Sequence, residues 1–171
     1  MPATYTLINS NVLTSSQASV TFSSIPATYT DLVLRISAQA DGASNAFDNI
    51  TLTFNGTGTT NHSSTRLTGN GATAASNRGT NQGIIMPNVM PQTGVTGSPW
   101  CNAEVYIPSY TVVQNKPLST YGVSEGNQTT AWTAATAGLF SDTTAISSIV
   151  ATGSTNFKSG SSFYLYGISN A

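Results

Sequence analysis

Charge is nearly absent from this sequence. Five Lys and Arg and six Asp and Glu make up 6% of its 171 residues, against roughly 25% in ordinary globular chains. Arg35, Arg66, Arg78, Lys116 and Lys158 are scattered, and the formal net charge is −1. Binding a phosphate backbone takes clustered cations, so nucleic acid is not an expected partner. Disorder is excluded as well, because disordered chains are charge-rich and poor in apolar residues, whereas 39% of this chain is hydrophobic. Cys101 is the single cysteine, which rules out an intrachain disulfide and a thiolate metal cluster. His62 is the single histidine. A Ser-His-Asp triad therefore has one possible base, and zinc lacks its usual three or four ligands. No apolar run approaches the roughly 20 residues of a membrane span, and no membrane is expected. The opening MPATYTLINS has neither a basic region nor an apolar core, so no secretory leader and cytoplasmic synthesis are expected.

Polarity comes instead from Ser, Thr and Asn, in a chain long enough for one well-buried domain and short for two. A single domain over residues 1–171 is expected. So little surface charge favours association with neighbours. The organising stretch is residues 19–39, SVTFSSIPATYTDLVLRISAQ. Val20-Thr21-Phe22 alternates as a half-buried strand does. Pro26, with no N–H and a fixed φ, interrupts the ladder. Alternation resumes after Asp31, with Leu32, Leu34, Ile36 and Ala38 on one face and Val33, Arg35 and Ser37 on the other. The two strands are read as one β unit on which other segments stack.

Further strands are predicted at 5–8, 50–54, 63–67, 101–107, 117–125, 129–139, 146–152 and 163–168, with a turn region at 153–160. Asn55-Gly56 is the dipeptide most favoured in tight hairpins. No segment holds apolar residues at helical spacing over three turns. About ten short strands without a helix predict an all-β fold, an antiparallel β-sandwich of jelly-roll type. Regularity fails over about 69–99, where Gly, Asn and Pro surround an apolar patch. This segment is read as a long irregular loop with at most one short strand. Ile84, Ile85, Met86, Val89 and Met90 have no clear strand partner there. Together with Trp100 they are the expected interface residues, since an uncovered apolar patch marks an interaction site.

Chemistry-bearing residues are few. His62, between Asn61 and Ser63, is expected at the surface. Glu104 and Glu125 are the only glutamates. Glycoside hydrolysis needs two carboxyls facing one sugar, and solvated strand positions explain these two better. Asp41, Asn45, Asp48 and Asn49 offer hard oxygens for calcium, yet turn chemistry accounts for the same residues. The sequons at Asn49, Asn55, Asn61 and Asn127 are expected by chance in so Asn- and Thr-rich a chain. Trp100, Tyr110, Tyr121 and Trp132 could stack on sugars, although core or interface positions are the stronger expectation. No catalytic residue, metal site or cofactor is expected.

Several segments taken together resemble a group of small virion structural proteins of tailed bacteriophages, especially those of marine and cyanobacterial hosts. They are YTLINSNVLTSSQASVTFSSIPATYTDLVLRISA, ITLTFNG, RLTGNG, EVYIPSY with NKPLSTYGVSE, and TAGLF with AISSIVATGSTNFKSGSSFYLYGIS. They cover most of the chain in order, and 72–102 matches least. The resemblance implies a non-enzymatic component of the virion, assembled in the bacterial host cytoplasm, and carries over no functional residues. The reading adopted is a capsid decoration or cement protein, bound to the outer head shell as a small oligomer, a trimer being favoured. Its partners would be the major capsid protein or other virion proteins. The alternative is a tail-fibre or receptor-binding module recognising host surface glycans.

Overall fold

The structure, a computed structural model, describes residues 4–169. Among these residues the chain forms strands and no helix. In order they are β1 (Tyr5–Val12), β2 (Gln17–Phe22), β3 (Asp31–Ser37), β4 (Phe47–Phe54), β5 (His62–Gly69) and β6 (Ala74–Thr80), followed by β7 (Ile84–Pro91), β8 (Asn102–Ile107), β9 (Lys116–Ser124), β10 (Trp132–Phe140), β11 (Ile149–Phe157) and β12 (Ser162–Ile168). They make an antiparallel β-sandwich of unequal layers. A wide eight-stranded sheet has the order β1-β12-β3-β8-β9-β10-β5-β6, and a narrow four-stranded sheet has the order β2-β11-β4-β7. A simple jelly roll has eight strands in all, so the wide sheet alone holds as many.

Period-two patterning builds the core. Leu32, Leu34 and Ile36 of β3 stand in register with Phe163 and Leu165 of β12 and with Ala103, Val105 and Ile107 of β8. All of these are buried. The narrow sheet meets them with Val20, Phe22, Ile50, Leu52, Phe54, Ile84, Met86, Ile149 and Ala151, all in the same core cluster. Cys101 is buried beside Ala38, and burial pushes its thiol up to about 12, so it is an inert core residue.

Four expectations are corrected. The stretch 19–39 is not one sheet unit, because β2 lies in the narrow sheet and β3 in the wide one. The connection crosses between layers, with Ile25 buried and its N–H donating to the Ser147 carbonyl at 3.0 Å. The Tyr110 hydroxyl holds the Pro26 carbonyl. Asn55 and Gly56 do form a tight turn, with φ of 53° and 64° and Thr57 N–H donating to Phe54 at 3.1 Å. That turn again leads from one sheet to the other instead of closing a hairpin. Residues up to Phe157, expected in a turn, extend β11 past a register shift.

The fourth correction concerns 69–99, which is two strands. β6 is an edge strand of weak β-formers, AASNRGT, paired with β5 through a turn at Asn70. The Asn70 side chain accepts from Thr73 N–H at 2.8 Å there. β7 is the edge of the narrow sheet, where the missing N–H groups of Pro87 and Pro91 are tolerated. Asn88, at φ 55°, kinks it, so that Met86 before the kink and Val89 after it both point inward. Ile84, Met86, Val89 and Met90 are each 0% exposed. These four are core residues and cannot meet a neighbouring subunit from where they lie. Of the expected interface, Ile85 is half-buried and Trp100 is 41% exposed.

Candidate functional site

The unequal widths of the two layers create a groove. Past β8 the wide sheet keeps its inward-facing positions, but its cover narrows to β7, with Phe54 of β4 reaching Phe140 and His62 at one end. Inward residues there are small where β7 presses on them. A side chain at Gly122 would meet Val89 at 2.7 Å and one at Gly138 would meet Ile84 at 2.9 Å. The Thr136 hydroxyl donates to the Ile85 carbonyl at 2.9 Å and ties the layers together. Beyond that tie β5 and β6 overhang β7, and their inward positions turn polar. Arg66 and Thr68 of β5 stand opposite Asn77 and Ala75 of β6.

The resulting groove has a volume of about 560 Å³. Arg66, Thr68 and Asn77 form one wall, Asn49 and Asn88 the other, and Trp132 one end. The guanidinium of Arg66 is held by neutral oxygens, donating to Asn77 Oδ1 at 2.7 Å and to Gln82 Oε1 at 3.2 Å. Across the groove Asn49 Oδ1 accepts from the N–H of Asn88 at 2.9 Å, which fixes the kink of β7. Trp132 also borders a second hollow of about 510 Å³, shared with Tyr121 and Glu125.

A second surface is the outer face of the wide sheet, which no other layer covers among the described residues. In register across it stand Tyr5 and Leu7 of β1, Tyr164 and Tyr166 of β12, Tyr106 of β8 and Tyr121 of β9. Tyr5 and Leu7 are 54% and 51% exposed, and Tyr121 is 56% exposed. Tyr5 and Tyr166 meet edge to face at 6.4 Å. Charge on this face comes from Asp31, which accepts from the Tyr106 hydroxyl at 2.8 Å, from the Arg35–Glu104 pair at 2.7 Å, and from Arg78 on the far edge strand β6, opposite Thr65.

The residues weighed for chemistry are dispersed. Glu104 is occupied by Arg35, and Glu125 accepts from the N–H of Asn127 at 2.8 Å. Asp48 accepts from Gln92 at 2.8 Å and from Ser154 at 3.0 Å, while Asn49 is taken up by Asn88. The calcium reading of that loop therefore loses two of its oxygen donors to the protein itself. Among the described residues no three His, Cys, Asp or Glu lie together as metal ligands. Tyr110 is fully buried. Two buried ionisable residues were not foreseen. Lys116, 1% exposed, donates to the carbonyls of Asp142 and Thr144, and desolvation lowers its pKa against the opposing charge of Asp142.

His62 is the other, and the surface position expected for it is wrong. It is 2% exposed, stacked on Phe54 at 5.5 Å and packed on Phe140 at 5.1 Å. Neither ring nitrogen has a hydrogen-bond partner. Desolvation lowers its pKa from the ordinary 6.5, with the Thr59 backbone opposing more weakly. A histidine held neutral in the fold gains protons on unfolding, so stability falls as pH drops below 6.5 toward the lower folded value. Acidification from about pH 7.5 to 5 should therefore lower the melting temperature in wild type. His62→Phe should flatten that dependence, because the chain has no other histidine. Equal slopes in the two proteins would show that His62 protonates freely in the fold.

No protein-family model, curated protein or solved structure matches this chain.

Proposed function

We propose that this protein is a non-enzymatic structural component of a tailed-bacteriophage virion. In this reading it is a decoration or cement protein seated on the outer head shell as a small oligomer, with a trimer favoured. The major capsid protein or another virion protein is its partner, and it joins the particle in the bacterial cytoplasm. The observation that supports the reading is the tyrosine-rich outer face of the wide sheet. Interfaces are enriched in Tyr and depleted in charge at their centres, and a face of Tyr5, Leu7, Tyr106, Tyr121, Tyr164 and Tyr166 has that composition. The outer edge of β1 adds to it. YTLINSNV carries no charge or proline, and charge and proline are the usual means of blunting an open edge. A bulge between Leu7 and Asn9 is the device it does have. The sequence resemblance points to the same class of protein.

Leu7→Lys with Tyr121→Lys tests the assignment. Both side chains are more than half exposed, so the fold should change by no more than about 0.5 kcal/mol. Particles assembled with the double variant should contain far less of the protein than wild-type particles, as read by quantitative gel or mass spectrometry. Normal occupancy would remove this face as the seat of assembly. Copy number in the wild-type particle separates head from tail: hundreds place the protein on the shell, a handful on the tail.

A further inference from the structure

We propose that the groove between the β5–β6 overhang and β7 binds a saccharide bearing a carboxylate, with Arg66 as its anchor and Trp132 as its platform. The proposal goes beyond the structural role above and does not rest on it.

Arg66 carries the argument. An arginine facing the inside of a sandwich is ordinarily matched by a carboxylate, because a charge taken out of water needs a counter-charge. Here its partners are the amide oxygens of Asn77 and Gln82, which position the guanidinium without neutralising it. Among the described residues the one ion pair, Arg35–Glu104, lies on the opposite face of the sheet. Arg66 Nε is moreover buried without a partner. The chain thus spends one of its five cationic residues in a groove where nothing on the protein compensates it. Guanidinium forks match carboxylates in geometry as well as charge.

The remaining lining selects a sugar among carboxylate ligands. Trp132 closes one end of the groove, and an indole offers an apolar face with a polar edge, suited to the C–H face and hydroxyls of a pyranose. Asn88, on the far wall, donates to Asn49 through its backbone N–H. Its side-chain amide, which can both donate and accept, is left to pair with hydroxyls. A volume of about 560 Å³ lies within the roughly 300–1,000 Å³ of small-ligand sites. Trp132 also borders the second hollow, with Tyr121, which would give a further sugar an aromatic surface beyond the closed end. A mononucleotide would also offer a ring and an anion. Its phosphate, however, carries nearly two charges against a single guanidinium, Arg66 being the one cation among the lining residues.

Isothermal titration calorimetry of the whole chain decides the matter, with trigalacturonate as the acidic probe, cellotriose as the neutral one and adenosine monophosphate as the competitor. Trigalacturonate should bind at least about tenfold more tightly than cellotriose, a modest return for one charge-assisted fork. Arg66→Gln should remove that preference, and Trp132→Ala should weaken both sugars. Ala75→Glu guards against misfolding, since Ala75 is exposed on an edge strand and lines the groove near Arg66. Its new carboxylate should neutralise Arg66 and abolish acidic-sugar binding while the melting temperature holds. The proposal is overturned by absence of heat with trigalacturonate, by equal affinity for cellotriose, by tighter binding of adenosine monophosphate, or by normal binding in Ala75→Glu.

Discussion

Leu34→Ala should cost about 2–5 kcal/mol of stability, the range found when buried leucines are cut back to alanine in a close-packed core. Leu34 is 1% exposed and stands in the middle of the wide sheet. It lies directly opposite Leu165 on one neighbouring strand and Val105 on the other. Both are 0% exposed, so the void would have rigid walls and could close only by moving two strands that are themselves paired on both sides. That places the cost toward the upper part of the range. Against a total stability of about 5–15 kcal/mol for an ordinary domain, the loss would be plain in urea titration as a lower midpoint with an unchanged slope. The neighbouring Arg35→Ala points the other way, onto the solvated face beside Glu104, and should shift stability by about 0.5 kcal/mol or less. A loss at Leu34 no larger than that at Arg35 would mean that β3 does not face the core as described.

The contrast between those two positions was readable in the sequence, because Leu32, Leu34 and Ile36 share one face and Arg35 and Ser37 the other, even though Val33 on that second face is apolar and buried. A period of two is a strong signal when one face is buried and the other wet, and β8 carries it clearly, whereas β12 is apolar on both faces and β9 turns Lys116, Thr120 and Ser124 inward with Tyr121 outward. Layer assignment was not readable. Val20 and Leu34 look alike as strand residues, and nothing in the Pro26 connection states that the chain changes sheets on the way. β7 was lost for a different reason. Two prolines and a left-handed Asn88 break its alternation, and only the edge position, a tertiary fact, makes them tolerable. His62 was misplaced because its polar neighbours Asn61 and Ser63 suggested a solvated edge, while the phenylalanines that enclose it come from β4 and β10. The groove needed Arg66 and Asn77 side by side. The only sequence signal for that was the Gly69-Asn70-Gly71 turn, which marked an end of β5 but could also have been taken as a hairpin returning through the SNR of β6.

Replacing residues 71–98 by a short Gly-Ser linker should abolish folding, the opposite of what a dispensable surface loop would give. The segment contains β6 and β7, and the two strands have unequal weight. β6 is exposed at nearly every position and pairs only with β5, so its loss alone would bare one edge of the wide sheet. β7 carries Ile84, Met86, Val89 and Met90 into the core. At about 1.5–3 kcal/mol for each fully buried side chain, their removal forfeits roughly 6–12 kcal/mol, as much as an ordinary domain has to lose. It would also uncover the inward faces of β9 and β10, where Val89 and Ile84 are the side chains that press most closely on Gly122 and Gly138. A linker covering 71–82 alone spares β7 and separates the two contributions. That shorter replacement should keep cooperative unfolding at a reduced midpoint, while the longer one should give a chain without a thermal transition or dispersed amide resonances. If the longer variant unfolds cooperatively near the wild-type midpoint, β7 is not part of the core, and the interface first read into its apolar residues regains its basis.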